Sequence, residues 1–156
     1  MQGFMQRAAE LAAISAAEGE VPVGAVVVKN GIIVGEGRNR RELSKNALSH
    51  AEIEAINNAC RTLGGWRLWQ CELFVTLEPC PMCAGAIINS RIKKVTFGAY
   101  DNKAGSFGSV INFNDLPYNH KPEIIGGQHE NECAQLLSNF FADLREKRKN
   151  AVKNSL

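Results

Sequence analysis

Two short motifs, thirty residues apart, carry side chains that bind metal ions. They are His50-Ala51-Glu52 and Pro79-Cys80-Pro81-Met82-Cys83. Two cysteines three residues apart on a helix face the same way. At the start of a helix, the dipole and the unpaired N–H groups stabilise thiolates, which are the form of cysteine that binds zinc. We therefore predict that His50, Cys80 and Cys83 bind one Zn²⁺ ion.

The number of ligands indicates which kind of zinc site this is. No fourth Cys or His follows at the spacing of a structural site, and three protein ligands with one open position are typical of catalytic zinc. Glu52 lies about 200° from His50 on a regular helix. Both can therefore face one site only if His50 lies at or just before the N-cap. Glu52 is then placed to move a proton between water at the open position and a substrate.

The two motifs together are more specific than either alone. A single C-x-x-C motif also occurs in redox pairs and in halves of structural zinc sites. The combination H-x-E followed by P-C-x-x-C is the signature of zinc-dependent deaminases, in which the glutamate is not a ligand. A silent zinc module that only binds nucleic acid is a further alternative. Glu52 and the open coordination position count against that module, because a scaffold needs neither.

The predicted secondary structure places both motifs at helix starts. Strands alternate with helices, which predicts an α/β fold, a three-layer α/β/α sandwich with a mixed sheet of about five strands. The first two strands form a hairpin at Asn30-Gly31, and later neighbours are parallel. We predict one domain over residues 1–156. The predicted elements are helices over about 4–18, from 50 to 63, from 79 to about 89 and across 133–144, and strands over 23–29, 32–37, 72–77, 93–99 and 123–126.

Charge and cysteine content narrow the class of protein. The net charge is +2, but residues 141–156 hold five basic and two acidic residues, so this basic C-terminal helix and tail account for the whole excess. That pattern is typical of a solvated helix end and also fits a polyanion-binding patch.

Five cysteines, an odd number, argue against a disulfide framework, and Cys60 and Cys133 are predicted to be small buried apolar residues. No apolar run approaches a membrane span or a signal peptide, so we expect a cytoplasmic protein.

Further segments resemble the bacterial tRNA-specific adenosine deaminases of the cytidine deaminase superfamily. The resemblance runs from about residue 4 to residue 149. It implies hydrolytic conversion of the wobble adenosine of a tRNA anticodon to inosine. It also implies a homodimer with one Zn²⁺ per subunit, a tRNA anticodon stem-loop as partner and no nucleotide cofactor. The segments that carry it are Glu20–Val26, Val75–Cys80, Met82–Ala86, Ser90–Ile92, Phe97–Ala99, Asn119–His120 and Phe140–Phe141.

The same resemblance implies which residues contact the substrate. Asn39 matches an asparagine that binds the flipped base, although a turn asparagine after a strand is the alternative. Val23 matches a pocket wall, with core packing as an equal alternative. Of the two phenylalanines at 140 and 141, one ring is expected in the core and one is available to a flanking base. The full predicted set of substrate contacts is Asn39, Val23, Ala51, Asp101, Asn119 and Phe141.

Two departures from the family pattern keep a second substrate class open. Pro81 lies where the tRNA enzymes usually carry valine, and P-C-P-M-C is common among deaminases of free bases. Ala47-Leu48-Ser49 replaces the commoner Pro-Thr-Ala before the histidine. Proline is tolerated in the first turn of a helix, so the metal ligands are unaffected. The alternative is a deaminase of a free base or nucleoside, of the guanine or cytosine type.

Overall fold

A five-stranded sheet lies at the centre of the computed structural model, which describes residues 1–155. Its strands are β1 (Gly24–Lys29), β2 (Ile32–Arg38), β3 (Cys71–Leu77), β4 (Lys94–Ala99) and β5 (Glu123–Ile125). The helices are α1 (Gly3–Ala17), α2 (Arg41–Ser44), α3 (Ala51–Leu63), α4 (Pro81–Ser90) and α5 (Glu130–Ser155), and a 3₁₀ turn spans Phe113–Asp115.

The order of the strands confirms the predicted mixed sheet. It runs β2-β1-β3-β4-β5, with β1 antiparallel to both neighbours and β3, β4 and β5 mutually parallel. Alternate residues of β1 point to opposite faces, so Val26 and Val28 pack with α1 while Ala25 and Val27 pack with α3 and α4. Helix α5 joins α1 on its face. The result is the expected three-layer α/β/α sandwich.

The turn between β1 and β2 has the predicted hairpin geometry. Asn30 has φ 51° and Gly31 has φ 75°, both in the left-handed region that a two-residue type I′ turn requires. Asparagine and glycine adopt this region at low cost, which is why the dipeptide indicates a hairpin in the sequence. β1 and β2 are consequently aligned over their full length, with one irregularity between Val27 and Val28.

Helix α3 lies very close to β2, and this contact decides which face of the helix is buried. Ile53, Ile56, Cys60 and Leu63 are apolar at helical spacing, but the buried residues are Ala51, Glu52, Ala55 and Ala59. A Cβ atom at Gly37 would lie 2.1 Å from the Ala51 carbonyl oxygen. Because β2 has a glycine at this position, the backbone of α3 packs directly against the strand, and only small alanine side chains lie between them. This contact fixes the start of α3, next to His50.

The remaining cysteine predictions are met only in part. Cys133 is fully buried on α5 and packs against Gly98 of β4, as expected for a small apolar residue. Cys60 is only half-buried, because α3 turns its alanine face to the sheet.

From Phe141 to residue 155 helix α5 is almost entirely exposed. None of the helices described between residues 1 and 155 combines the length and apolar character that a membrane crossing requires.

Candidate active site

The two motifs meet because each supplies the N-cap of a helix. His50 caps α3 with φ −79° and ψ 153°, and Cys80 caps α4 with φ −74° and ψ 174°. Both backbones are extended, so neither side chain follows the helical screw. His50 therefore faces the same site as Glu52, which is the condition that the sequence imposed. Pro81 occupies the first helical position of α4, where a missing N–H has no cost.

His50, Cys80 and Cys83 form a three-residue cluster suited to a metal ion. Their ligand atoms all lie within 4.8 Å of one another. Nδ1 of His50 lies 3.6 Å from the Sγ atom of each cysteine. Bond lengths of about 2.3 Å to sulfur and about 2.0 Å to nitrogen, at a tetrahedral angle, require a separation of about 3.5 Å. The spacing and the donor types thus fit a tetrahedral ion such as zinc, bound through Nδ1.

The ionisation of the cluster favours a thiolate at Cys80. The pKa of Cys80 is lowered to about 4, chiefly because the Cys83 thiol donates a hydrogen bond to it, with His50 as a further donor. The pKa of Cys83 is raised, because its proton is held by Cys80 and because the side chain is buried. The Cys80 thiolate in turn raises the pKa of His50. One thiolate is thus already favoured by the protein alone.

Glu52 is a buried carboxyl group beside this cluster. Its side chain is 4% exposed, and burial raises its pKa to about 7. It is not among the three clustered ligands, although its carboxylate also interacts with Cys83. A group whose pKa is close to neutral can both take up and release a proton under working conditions. A buried carboxyl group of this kind is suited to the proton transfer that we predict for Glu52.

A pocket is lined by these side chains together with residues just before β1, just after β2, at the end of β3 and in the loop after β4. Four of the predicted substrate contacts lie in its lining: Val23, Asn39, Ala51 and Asp101. The other two, Asn119 and Phe141, are exposed and lie outside it. The complete lining consists of Val21, Val23, Asn39, Arg41, His50, Ala51, Glu52, Leu77, Glu78, Cys80, Asp101 and Ala104.

Asn39 has local partners that fit the turn alternative. Its Nδ2 donates to the Val21 carbonyl at 3.1 Å, and its Oδ1 accepts from the Arg41 N–H at 3.2 Å. An amide side chain has a second N–H and a second lone pair, so each end can still contact a ligand. Asp101 is likewise held locally, since its Oδ1 accepts from the backbone N–H groups of Lys103 and Ala104.

Two buried carboxylates near the pocket were not singled out from the sequence. Glu20 accepts hydrogen bonds from the N–H groups of Glu42 and Leu43 at 3.0 and 2.9 Å, and so holds α2 beside the pocket. Glu78 binds the loop after β4 in the same way. Each is 1% exposed. The available signal was a carboxylate next to an apolar run and close to a proline, at Glu20-Val21-Pro22 and Glu78-Pro79.

The fold and this site together define the class of the protein. A three-layer sandwich whose two helix starts join a His/Cys/Cys cluster to a buried glutamate is the arrangement of hydrolytic deaminases. The profile of the MafB19-like deaminase family matches residues 1–145. The chain is accordingly a deaminase.

Individual relatives narrow the class further. A tRNA-specific adenosine deaminase from Bacillus subtilis is 47% identical over 152 residues, which cover 97% of this chain and 94% of the relative. A solved structure from a study of A-to-I editing by tRNA:A34 deaminases at the wobble position has a TM-score of 0.84 and 40% identity, covering 86% of this chain and 98% of that one. Within the MafB19-like deaminases, this chain belongs to the family of tRNA-specific adenosine deaminases.

A deaminase of a free base is also similar. The structure of guanine deaminase from Bacillus subtilis has a TM-score of 0.61 and 39% identity, with 76% of each chain covered. The similarity covers less of this chain than the tRNA:A34 deaminase structure does, and the structural agreement is lower.

Proposed function

We propose that this enzyme hydrolytically deaminates the wobble adenosine of a tRNA anticodon, which yields inosine and ammonia, and that each subunit binds one zinc ion. The observation that carries the proposal is the juxtaposition of the His50, Cys80 and Cys83 cluster with the buried carboxyl group of Glu52, in a chain of this family. The site lies at the bottom of a pocket, so an adenine must leave its stack to reach it. We place the enzyme in the cytoplasm, where tRNA is used.

Zinc is the metal that these residues fit best. Two sulfur donors and one imidazole nitrogen, with 3.6 Å between nitrogen and each sulfur, match a tetrahedral site with one open position. Bound there, zinc would supply Lewis-acid activation of water. Cys80 and Cys83 would enter as thiolates and His50 through Nδ1. The two thiolates leave little net charge on the ion, so a nearby proton acceptor is needed.

The chain's own residues then carry the proton transfers. Glu52 accepts a proton as water attacks C6 of the adenine ring, and delivers it to the ring nitrogen. In the second half of the reaction Glu52 takes the remaining proton from the hydroxyl group added at C6 and gives it to the amino group. The C6–N bond then breaks, ammonia leaves and the C6 carbonyl of inosine forms. Val23 and Ala51 form the apolar walls that pack against the base. Asn39 contacts its polar edge through the N–H and lone pair that remain free.

Contacts outside the pocket complete the proposal. The exposed ring of Phe141 is available to stack on a base next to the adenosine, while Asp101 and Asn119 contact the RNA loop. We also propose that the chain acts as a homodimer. Light scattering tests this directly.

The substrate is tested by offering an anticodon stem-loop and free bases to the same zinc-loaded enzyme. We expect inosine to form at the wobble adenosine of the stem-loop, with no turnover of free adenosine, cytidine or guanine. A stem-loop whose adenosine is moved by one position serves as the matched control and should stay intact. Turnover of guanine with an unreacted stem-loop would instead support the free-base deaminase that Pro81 and the guanine deaminase similarity favour.

The basic end of α5 gives a second prediction, about salt. Residues 145–155 are all exposed, and we expect Arg148 and Lys149 to contact phosphates. The double alanine variant should raise KM for the stem-loop. It should also lower the slope of log Kd against log salt by about 0.7–0.9 for each phosphate that is no longer neutralised. The control replaces Lys29 and Arg61, which lie at the far ends of β1 and α3. An unchanged slope in the α5 variant would make this segment a solvated helix end.

A further inference from the structure

Glu78 is a buried carboxylate that the mechanism above does not use. It directly follows β3 and lies two residues before Cys80. Its Oε1 accepts from the Asp101 N–H at 3.1 Å and from the Ser109 hydroxyl. Its Oε2 accepts from the N–H groups of Phe107 and Ser109, both at 3.1 Å. Four donors of a single loop thus converge on one side chain.

That loop, residues 100–112, contains no helix or strand but has hydrogen bonds of its own. The Gly105 N–H donates to the Asp101 carbonyl at 2.8 Å, and the Val110 N–H donates to the Gly105 carbonyl at 2.9 Å. One isolated bridge joins Phe107 to Asn112, and the Ser106 N–H donates to the Pro79 carbonyl at 2.9 Å. The loop wraps closely around the carboxylate, since a Cβ atom at Gly105 would lie 2.4 Å from Cδ of Glu78. Glu78 therefore accepts four of the hydrogen bonds that attach this internally bonded loop to the end of β3.

The 100–112 loop forms one wall of the substrate pocket. Asp101 and Ala104 both line it, and the Asp101 N–H is bonded to Glu78. Both carboxylate oxygens of Glu78 are occupied by loop donors, so the side chain has no free group for proton transfer. A buried charge with four donors is stable, whereas the same donors left without an acceptor are costly. Loss of the carboxylate should therefore make the 100–112 loop more mobile, while the His50, Cys80 and Cys83 cluster keeps its geometry.

We propose that Glu78 is a positioning residue, which holds the 100–112 loop in the conformation that receives the RNA-borne adenosine. The inference rests on the proposed function for the identity of the substrate. Glu78 acts on substrate binding through Asp101 and its neighbours. It thereby connects the strand that leads into the metal site to the pocket wall formed by the 100–112 loop.

The test replaces Glu78 in the full-length, zinc-loaded enzyme. Glu78→Gln keeps the size of the side chain but turns an NH₂ group towards N–H donors. We expect one zinc per subunit, faster hydrogen exchange in residues 101–109, and kcat for the stem-loop changed by no more than about twofold. KM should rise by about tenfold if the competent loop conformation falls to about a tenth of the population. Glu72→Gln on the same strand removes a half-exposed ion pair with Lys94 and should change none of these values.

Two further variants disturb the loop while the carboxylate remains. Gly105→Ala pushes the loop away from Glu78, and Ser109→Ala removes one donor. Both should raise KM in the same direction as Glu78→Gln, Ser109→Ala by less, and both keep the test valid if Glu78→Gln fails to fold.

Several results would overturn the positioning role. The first is unchanged hydrogen exchange in the folded variants, and the second is faster hydrogen exchange with an unchanged KM. The third is a large loss of kcat at constant KM, which would make Glu78 a catalytic residue. If the unaltered enzyme deaminates guanine but not the stem-loop, the proposed function is wrong. In that case the KM for guanine of the Glu78→Gln enzyme, compared with that of the unaltered enzyme, tests the positioning role of Glu78.

Discussion

Glu52→Ala is expected to keep one zinc ion per subunit and to lower kcat on the anticodon stem-loop by about 10²- to 10⁴-fold. Glu52 is buried beside the cluster without belonging to its three ligands, so its removal leaves the donor set complete. What disappears is the proton acceptor for the attacking water and the donor to the leaving amine. Zinc content by atomic absorption and inosine formation under single-turnover conditions measure the two effects separately.

The chain offers a close control for this experiment. Glu54 lies in the same first turn of α3, but it is partly exposed and pairs with Arg40 at 3.8 Å. Glu54→Ala should keep kcat within about threefold, because an exposed pair of this kind contributes little. Glu52→Gln, which preserves size and burial, should be as inactive as Glu52→Ala. Activity that survives either change at Glu52 would rule out its role in proton transfer.

The second large effect is expected from Cys83→Ser, which should abolish zinc binding and turnover together. A serine hydroxyl stays protonated at neutral pH and is a poor ligand for zinc beside a thiolate and an imidazole. We expect zinc affinity to fall by more than the ~10- to 100-fold that follows the loss of a group supporting a ligand. Cys80→Ser should behave alike. Zinc per subunit after dialysis and titration calorimetry measure the loss.

Chelation should reproduce the same phenotype without a mutation. The unaltered enzyme is expected to lose activity when zinc is removed and to regain it on addition of one equivalent. Cys60→Ser is the matched control, because Cys60 is a half-exposed thiol of α3 outside the cluster. It should retain both zinc and activity. A Cys83→Ser enzyme with full zinc content and turnover would contradict the assignment of the metal ligands.

The chemistry could be read from the sequence because it depends on local spacing. Cys80 and Cys83 lie within one helical turn, and His50 and Glu52 lie at the start of another, so their meeting required only that two helix starts converge. Short β-branched runs and helical spacing of apolar residues predicted the strands and helices for a similar reason, since each pattern lies within one element. The Asn30-Gly31 turn belongs to the same class, because it depends on the backbone preferences of two residues.

Other features depend on contacts that no local pattern contains. The buried face of α3 is set by Gly37, a residue of another element, which admits alanines and leaves Ile53 and Ile56 less buried. The hydrogen bonds of Glu78 connect it to residues that lie between 23 and 31 positions further along the chain. Periodicity reports apolar side chains, so a buried carboxylate with distant backbone donors gives no comparable signal.

The division follows from the range of the interactions. By itself, the sequence predicted the layered fold, the His50, Cys80 and Cys83 cluster and a carboxyl group beside it, because each rests on spacing within one turn, strand or motif. Only the tertiary structure decided that His50 is an N-cap sharing a site with Glu52, and that Glu20 and Glu78 hold the pocket walls. Those arrangements arise where packed elements bring a charge to backbone donors that are remote along the chain.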